Sequence, residues 1–322
     1  MRSGEPPTNG ATVKHLVQLA ACVLGFALTV GAQPSPGTAR SAADVAVERG
    51  RLADAETMLF DASRVSPRDP VVRGALGTFL ASRGHVRVGA VLLEEARRFG
   101  GDADAINALL AHLYQWTGDW SAAAMLPGTP SGARRARAKY LAAHPHALSG
   151  ADSARVPLTP PEGAGVGRIS LEIGGVSFMA DIDPGIEGLL LPEASAVTTG
   201  VRAFGAEDGT TFAVADSMGI GTFMFWNVPA QTGPVTRPRI GLDLLALLNP
   251  TFDMGAKALT LRRNAPEPAG GELMPLLLRF PGIEIVTTPG SAPVGLTAAA
   301  GTLLQGERWT FDLRRGAVRA QR

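Results

Sequence analysis

Hydrophobic and polar positions alternate along residues 176–182, and this alternation predicts a half-buried β-strand. The tripeptide Asp183-Pro184-Gly185 follows and predicts a turn, and a second apolar stretch runs from Gly188 to Leu191. The pattern therefore places the Asp183 carboxylate at a turn between two apolar strands. A carboxylate held there is rigid and partly shielded from water, as catalytic acids are. The alternative is that Asp183 only initiates a surface turn.

The rest of the second half is also predicted to be rich in short strands separated by turns. Further strands are expected at 168–173, 211–214, 218–226 and 258–262, with short helices at 193–197 and 243–248. Asp181 is expected to face solvent, whereas Asp243 and Asp253 are interpreted as structural. All five histidines lie at or before position 146, so serine–histidine, cysteine–histidine and histidine–metal sites cannot form within this half. Carboxylate chemistry is what remains.

Residues 41–126 contain an internal repeat in an alanine- and leucine-rich background. Arg49-Gly50, Arg83-Gly84 and Thr117-Gly118 follow one another at intervals of 34 residues. Small residues recur where two helices would approach each other. The repeat resembles tetratricopeptide repeats, whose unit is a 34-residue helix-turn-helix. This resemblance implies a short helical solenoid with a concave face that binds a peptide or protein. The alternative is a helical cap that only supports the next domain.

Residues 127–165 are predicted to be a linker that carries a short basic helix. Arg134, Arg135, Arg137 and Lys139 lie on that helix, and their charges are interpreted as a solvated face. His144 and His146 flank a proline and make a poor metal site without further ligands. The stretch from Pro157 to Gly167 is rich in proline and glycine and marks a domain boundary.

The first 32 residues are predicted to be a signal peptide. Arg2, Lys14 and His15 precede an apolar run from Leu16 to Val30, and small residues suit cleavage after Ala32. We therefore expect an exported protein, periplasmic or secreted. The alternative is that this segment stays uncleaved and anchors the protein in a membrane. Cleavage would also remove Cys22, the single cysteine, and would exclude disulfides and thiol chemistry.

Charge and motifs exclude several classes of function. The net charge of +1 gives no overall field that would favour nucleic acid. The second half has no phosphate-binding loop, and Gly174-Gly175 is interpreted as a hairpin turn rather than a nucleotide fingerprint. We therefore expect no cofactor, no metal and no nucleic-acid partner.

The order of elements between residues 166 and 263 resembles one lobe of a retropepsin-like aspartic protease. The matching pieces are the strand 168–173, Gly174-Gly175, the strand 176–182, Asp183-Pro184-Gly185, the apolar run 188–191, Ile240 to Leu245, and Thr251 to Leu261. The resemblance implies an all-β acid-protease-like barrel. The fold class expected for the whole chain is accordingly α+β and multidomain, with a helical solenoid followed by this barrel.

The resemblance also implies roles for individual residues. In this family two aspartates, one from each lobe, share a proton; one acts as base on a water while the other polarises the scissile carbonyl. Asp183 would be half of such a pair, and Gly185 would offer its backbone N–H to the carboxylate. The glycine of Ile240-Gly241 would allow the backbone to cross beneath the turn.

Two departures from the family pattern concern the same site. Pro184 stands where the family has Thr or Ser, whose hydroxyl normally links the two lobes. Residues 270–322 look like a truncated, degenerate second lobe, because 273–297 repeats 168–192 at an offset of 105. In this alignment Thr288 takes the position of the second carboxylate. The alternative is that two Pro-Gly turns coincide in a chain rich in both residues.

Together these features favour an exported aspartic-protease-like protein with weak or absent peptidase activity. If active, it would be an aspartic endopeptidase, and the second carboxylate would come from Asp183 of another copy in a homodimer. The alternative is a non-enzymatic module that binds peptides or proteins in the solenoid groove or in the vestigial cleft. An unrelated β-sandwich with Asp183 in an ordinary turn is a third hypothesis.

Overall fold

In a computed structural model, an N-terminal helical region precedes a β-barrel region. The structure describes residues 35–127, 132–162, 165–207, 209–264, 272–280, 282–287, 290–296, 308–313 and 315–321. The predicted signal segment and Thr288 lie outside the described residues. Among the helices in the described ranges, none is long and apolar enough to cross a membrane.

Within residues 35–127, six helices form three consecutive pairs. They are α1 (Pro36–Glu48), α2 (Leu52–Val65), α3 (Pro70–Ser82), α4 (Val86–Arg98), α5 (Ala103–Thr117) and α6 (Trp120–Met125). Local sequence explains several boundaries: the Asp69 and Asp102 side chains accept backbone N–H groups at the starts of α3 and α5, and Gly118 ends α5 in the left-handed conformation.

Glycine allows α3 and α4 to pack closely. A Cβ atom added at Gly89 would lie 2.6 Å from the Gly77 carbonyl oxygen and 2.6 Å from the Ala81 Cβ. No side chain fits in that space without a shift of the backbone. The small residue at this position of the repeat therefore sets the distance between the two helices.

The segment predicted as a linker contains two strands after its basic helix. Helix α7 (Gly132–Ala143) is followed by β1 (Ala147–Gly150) and β2 (Ser153–Pro157). Strand β1 pairs with one sheet and β2 with the other. Apolar and polar residues alternate over too few positions in β1 and β2 for the pattern to distinguish a strand from a loop. The two strands are therefore part of the β-rich region and not a linker that precedes it.

A closed ring of strands forms the barrel. Its elements in chain order are β3 (Gly167–Ile173), β4 (Val176–Ile182), β5 (Leu189–Pro192), α8 (Glu193–Thr199), β6 (Arg202–Glu207), β7 (Thr210–Ile220), β8 (Phe223–Gly233), β9 (Arg239–Ile240) and α9 (Leu242–Leu245). The neighbours run β8-β5-β9-β4-β3-β7, and β7 pairs back to β8. The alternate apolar residues of β3 and β4 fill the interior, as their sequence predicts.

The prediction of a single strand at 218–226 is wrong. Strands β7 and β8 form a long hairpin that turns at residues 221–222, where Ile220 pairs with Phe223. Gly221 has a φ of +59°, a conformation that glycine adopts without strain. Because apolar residues lie on both sides of the turn, the sequence pattern does not indicate it.

A second sheet joins the C-terminal residues to the barrel. After a 3₁₀ turn at Ala246–Leu248, its strands are β10 (Thr251–Asp253), β11 (Ala258–Arg262), β12 (Glu272–Arg279), β13 (Gly282–Ile285), β14 (Val294–Gly295), β15 (Arg308–Asp312) and β16 (Ala317–Gln321). Its order is β14-β13-β12-β16-β15-β10-β11-β2. The C-terminal residues thus extend a sheet that already holds β10 and β11.

The β12–β13 hairpin does not repeat the β3–β4 hairpin at one constant offset. Leu171 pairs with Phe178, whereas Leu276, 105 residues after Leu171, pairs with Ile285, 107 residues after Phe178. The physical reason is that the C-terminal hairpin continues one residue pair further before it turns. A constant offset of 105 therefore does not describe the two hairpins.

The helical region packs directly on the C-terminal hairpin. Leu277 and Val286 are buried in one cluster with apolar residues of α1, α2 and α3. The Arg83 guanidinium donates to the backbone carbonyls of Leu276 at 2.8 Å and Gly316 at 3.2 Å. These contacts fix the orientation of the helices relative to the sheet.

Candidate functional site

The Asp183 carboxylate lies at the end of β4, in a turn held by the backbone. Asp183 is 6% exposed. Its Oδ1 accepts the Gly185 backbone N–H at 2.8 Å, and its own N–H donates to the Ile240 carbonyl at 3.0 Å. Because β9 runs parallel to β4 beside the turn, the carboxylate is fixed by the barrel rather than left in solvent.

The other oxygen of Asp183 is paired with a cation of the same chain. Arg239 donates from Nη1 to Asp183 Oδ2 at 3.0 Å. The Arg239 side chain is 34% exposed, so one side of the ion pair meets solvent. Both oxygens of Asp183 are thus engaged with donors, one from the backbone and one from a guanidinium.

Gly241 and Asp243 fix the Asp183 turn through hydrogen bonds to Gly188. The Gly241 N–H donates to the Gly188 carbonyl at 2.7 Å, and a Cβ added at Gly241 would lie 2.6 Å from the Ile186 carbonyl oxygen. Only glycine fits at this position, where the backbone crosses beneath the Asp183 turn. The Asp243 carboxyl accepts the Gly188 N–H at 3.0 and 2.9 Å, so the end of the turn is fixed to the start of α9.

Asp243 therefore has a larger role than the helix start that the sequence suggested. Desolvation, followed by the nearby Glu187 carboxylate, raises the pKa of Asp243 to about 7, although hydrogen bonds from the backbone N–H groups of Gly188, Leu244 and Asp243 act in the opposite direction. The site contains an acid that titrates near neutrality, at a position distinct from the predicted catalytic aspartate.

The remaining predicted site residues have differing surroundings. Pro184 is buried within the turn and contributes neither a hydroxyl nor an N–H, whereas Gly185 is exposed. Asp181 is less solvated than expected: the residue is half-buried, and its Oδ1 is buried with no hydrogen-bond partner in the described part of the chain. Strand pairing explains the difference, because Asp181 lies between Arg168 of β3 and Arg239 of β9.

Residues of the helical region reach the same turn. His112 Nδ1 lies 2.8 Å from Glu187 Oε1, and Gln115 Nε2 donates to Glu187 Oε2 at 3.1 Å. His112 and Gln115 are three residues apart on α5, so they share one face of that helix. This spacing of two polar residues on a largely apolar helix was a signal in the sequence. The importance of His112 was not predicted, because histidine chemistry was considered only within the second half of the chain, which contains no histidine.

A cavity of about 250 Å³ separates these helices from the barrel beside the turn. We call it the Arg137 cavity. Its walls come from α5, α6 and α7 on one side and from residues 185–187, Leu190, Phe212 and Gln231 on the other. No sequence pattern indicates this cavity, because its two walls are distant along the chain.

Arg137 is the buried cation of this cavity. It donates from Nη1 to the Ala230 carbonyl at 3.1 Å and from Nη2 to Gln115 Oε1 at 2.7 Å. Its guanidinium also lies 4.9 Å from the centre of the Phe212 ring. Burial lowers the pKa of Arg137 to about 10, so the side chain stays charged at neutral pH. The prediction of a solvated charge is therefore wrong for this residue, because α7 packs on the barrel.

The described residues contain no group of three or more His, Cys, Asp or Glu side chains placed to hold a metal ion. The acids at the turn are instead bound by donors of the chain itself: Arg239 for Asp183, Gly188 for Asp243, and His112 with Gln115 for Glu187.

No protein-family model and no curated protein matches the chain. Among solved structures, the chain is similar to a crystal structure of a retropepsin-like aspartic protease from Rickettsia conorii. The likeness covers 36% of this chain and 91% of that chain, at 16% sequence identity and a TM-score of 0.29. The function proposed below therefore depends on the contacts of this chain and not on that likeness.

Proposed function

We propose that this protein is an exported, aspartic-protease-like protein that binds peptide or protein segments and does not cleave them. The observation that carries this proposal is the ion pair between Asp183 and Arg239 at 3.0 Å. Acid-dyad hydrolysis needs a carboxylate that acts as base on a water beside a second carboxyl group. In this site the Arg239 guanidinium already donates to Oδ2 of Asp183.

The helical region is proposed to be a tetratricopeptide-like array that contributes a binding groove. The first helices of the three pairs begin at residues 36, 70 and 103, and the second helices begin at 52, 86 and 120. These intervals support the 34-residue repeat. A groove of about 640 Å³ runs along α1, α3 and α5, with Leu278 to Phe280 of the C-terminal hairpin also lining it.

Export is proposed from the N-terminal segment alone. Basic residues precede an apolar run and small residues follow it, with Ala32 at the expected cleavage point. Cell fractionation together with N-terminal sequencing of the mature protein tests this. A mature chain that starts at Gln33 supports the proposal, and a full-length chain in the cytoplasm contradicts it.

Two assays on the same preparation test the central proposal. The first incubates wild-type protein with a mixed peptide library between pH 3 and 8 and identifies products by mass spectrometry. We expect no cleavage. Products that are blocked by pepstatin and absent with Asp183→Asn would overturn the proposal.

The second assay measures binding of fluorescently labelled library peptides by anisotropy. We expect saturable binding that Asp183→Asn retains, because the proposal does not require a catalytic carboxylate. An absence of binding for every peptide would leave no support for a binding module.

Formation of a homodimer that joins two Asp183 side chains stays a prediction. Light scattering over a range of concentrations tests it. Such a dimer would have to open the Asp183–Arg239 ion pair before the two carboxyl groups could share a proton.

A further inference from the structure

We propose that the Arg137 cavity binds a carboxylate group carried on a short apolar stem, with Arg137 and Trp120 as the donors that recognise it. The inference deepens the proposed function, because the cavity adjoins the Asp183 turn through Gly185, Ile186 and Glu187. The binding of a free acid, however, does not depend on peptide binding.

The first argument is an excess of hydrogen-bond donors. The Nε of Arg137 and the Nε1 of Trp120 are buried and have no hydrogen-bond partner among the described residues. Both residues line the cavity, and they are 5% and 6% exposed. A buried donor without a partner destabilises the folded protein. A ligand that accepts from these two groups would remove that destabilisation.

Three acceptor oxygens at the cavity already receive hydrogen bonds from donors of the chain. Glu187 Oε1 is engaged by His112 and Oε2 by Gln115, and Gln115 Oε1 in turn accepts from Arg137. Among the described residues that line the cavity, the buried atoms without a partner, Arg137 Nε and Trp120 Nε1, are both donors. This asymmetry favours a ligand that carries acceptor oxygens, and it disfavours amines and other donors.

The charge of Arg137 selects an anion among such ligands. Both hydrogen bonds of its guanidinium go to neutral acceptors, the Ala230 carbonyl and the Gln115 amide oxygen. A planar guanidinium matches the geometry of a carboxylate, and hydrogen bonds between ions are stronger than those between neutral groups. The Glu187 and Asp243 carboxylates lie near this guanidinium, but the hydrogen bonds of Arg137 in the described residues go to neutral oxygens. A ligand carboxylate would thus supply charged acceptors within hydrogen-bonding distance.

The remaining walls describe the rest of the ligand. Ala111, Ala123, Ala138, Leu190 and Phe212 contribute apolar surface around a volume of about 250 Å³. This surface suits a short aliphatic stem beside the carboxylate. The chemistry fits two sources, a free short-chain organic acid and the terminal carboxylate of a peptide.

Isothermal titration calorimetry on the full chain tests the inference with defined probes. Butyrate is compared with butyramide, which keeps the shape and loses the charge. A tripeptide with a free C-terminal carboxylate is compared with its C-terminal amide. We expect each acid to bind saturably and at least about ten times more tightly than its amide, which is about 1.4 kcal/mol.

Two variants connect this binding to the cavity. Trp120→Phe keeps an aromatic ring of smaller size and removes the indole N–H, and we expect butyrate affinity to fall about fivefold. Arg137→Met keeps an unbranched apolar stem of similar shape, and we expect binding to be lost. Arg64→Met, on the exposed face of α2 with 80% of its side chain in solvent, is the matched control and leaves affinity unchanged. If Arg137→Met does not fold, Trp120→Phe and the amide probes test the carboxylate site instead.

The outcomes separate this inference from the proposed function. Butyrate binding without peptide binding upholds the carboxylate site and contradicts the peptide-binding module. Equal binding of the peptide acid and its amide, unaffected by Trp120→Phe, upholds the module and overturns the carboxylate site. Absence of saturable binding for every acid also overturns it.

Discussion

Asp183 and Arg239 form an ion pair across neighbouring parallel strands, with Oδ2 and Nη1 separated by 3.0 Å. The pair joins the end of β4 to β9, the strand that leads into the Gly241 crossing. The same carboxylate also accepts the Gly185 N–H. An acid in the position expected of a catalytic residue thus serves to hold its own turn in place.

Replacement of Arg239 tests this structural role. In Arg239→Met, the buried Asp183 carboxylate keeps only its backbone donor, and we expect the free energy of unfolding to fall by about 1–3 kcal/mol. Urea denaturation measures the change. In Asp183→Asn combined with Arg239→Met, no uncompensated charge is left, so the loss should be smaller than the sum of the two single changes.

Arg64→Met is the control for removal of an arginine. Arg64 pairs with Asp61 at 3.2 Å on an exposed helix face, and exposed pairs contribute only about 0–1 kcal/mol. Equal destabilisation by the two arginine variants would contradict a special role for Arg239.

The local pattern was sufficient to predict the geometry of the turn but not its chemistry. Alternation along 176–182 and the Pro-Gly pair specify a strand and a turn from adjacent residues alone. Arg239 is 56 residues beyond Asp183, and no periodicity relates the two. Their pairing results from the parallel contact between β4 and β9, which only the closed barrel creates.

The helical contribution to the site was concealed for the same reason. His112 and Gln115 face Glu187 because the whole helical region packs on the barrel and on the C-terminal hairpin. The repeat spacing predicted helix pairs, but a repeat contains no information about the domain on which it packs. The sequence likewise predicts Arg137 as one of several surface charges, because nothing in the pattern indicates that α7 packs against the barrel.

Stability should depend on pH through Asp243. Its carboxyl has an ordinary pKa of 3.8 when unfolded, and desolvation raises that pKa to about 7 in the folded protein. Between these values the folded state binds a proton that the unfolded state has released, so stability falls as pH rises. This contribution is fully present below pH 3.8 and is lost by about pH 7; over the whole window it amounts to roughly 4 kcal/mol.

Asp243→Asn isolates this contribution. The amide resembles the protonated acid and does not titrate, so we expect the variant to be more stable than wild type at pH 8 and similar to it near pH 4. Urea unfolding at both pH values measures the difference, and the other titrating groups cancel in the comparison. A difference in stability that does not change with pH would rule out the proposed titration.

The crossing at Gly241 should not tolerate a side chain. In Gly241→Ala the new Cβ would lie 2.6 Å from the Ile186 carbonyl oxygen and 3.1 Å from the Gly188 N. Because both contacts are to backbone, the turn that holds Asp183 must shift, and we expect a loss of about 1–3 kcal/mol. Thermal unfolding followed by circular dichroism measures it.

Gly37→Ala is the matched change at a site without such contacts. Apart from the adjacent backbone of α1, no atom of the described residues lies within 4 Å of a Cβ at Gly37, which is exposed. We expect a gain of up to about 1 kcal/mol from the better helix former. If Gly241→Ala behaved in the same way, the crossing would not need glycine.

The packing of the helical repeat gives the last test, because two glycines of the α3–α4 pair differ only in their surroundings. Gly89→Ala places a Cβ 2.6 Å from the Gly77 carbonyl oxygen, whereas a Cβ at Gly74 meets only the Ala96 Cβ, at 3.8 Å. Alanine improves helix propensity at both positions by about 1 kcal/mol. Overpacking costs about 1–3 kcal/mol and acts at Gly89 alone. We therefore expect Gly74→Ala to stabilise the protein and Gly89→Ala to destabilise it, with faster amide hydrogen exchange in α3 and α4. Equal effects of the two substitutions would mean that close approach of the helices does not determine the small residue of the repeat.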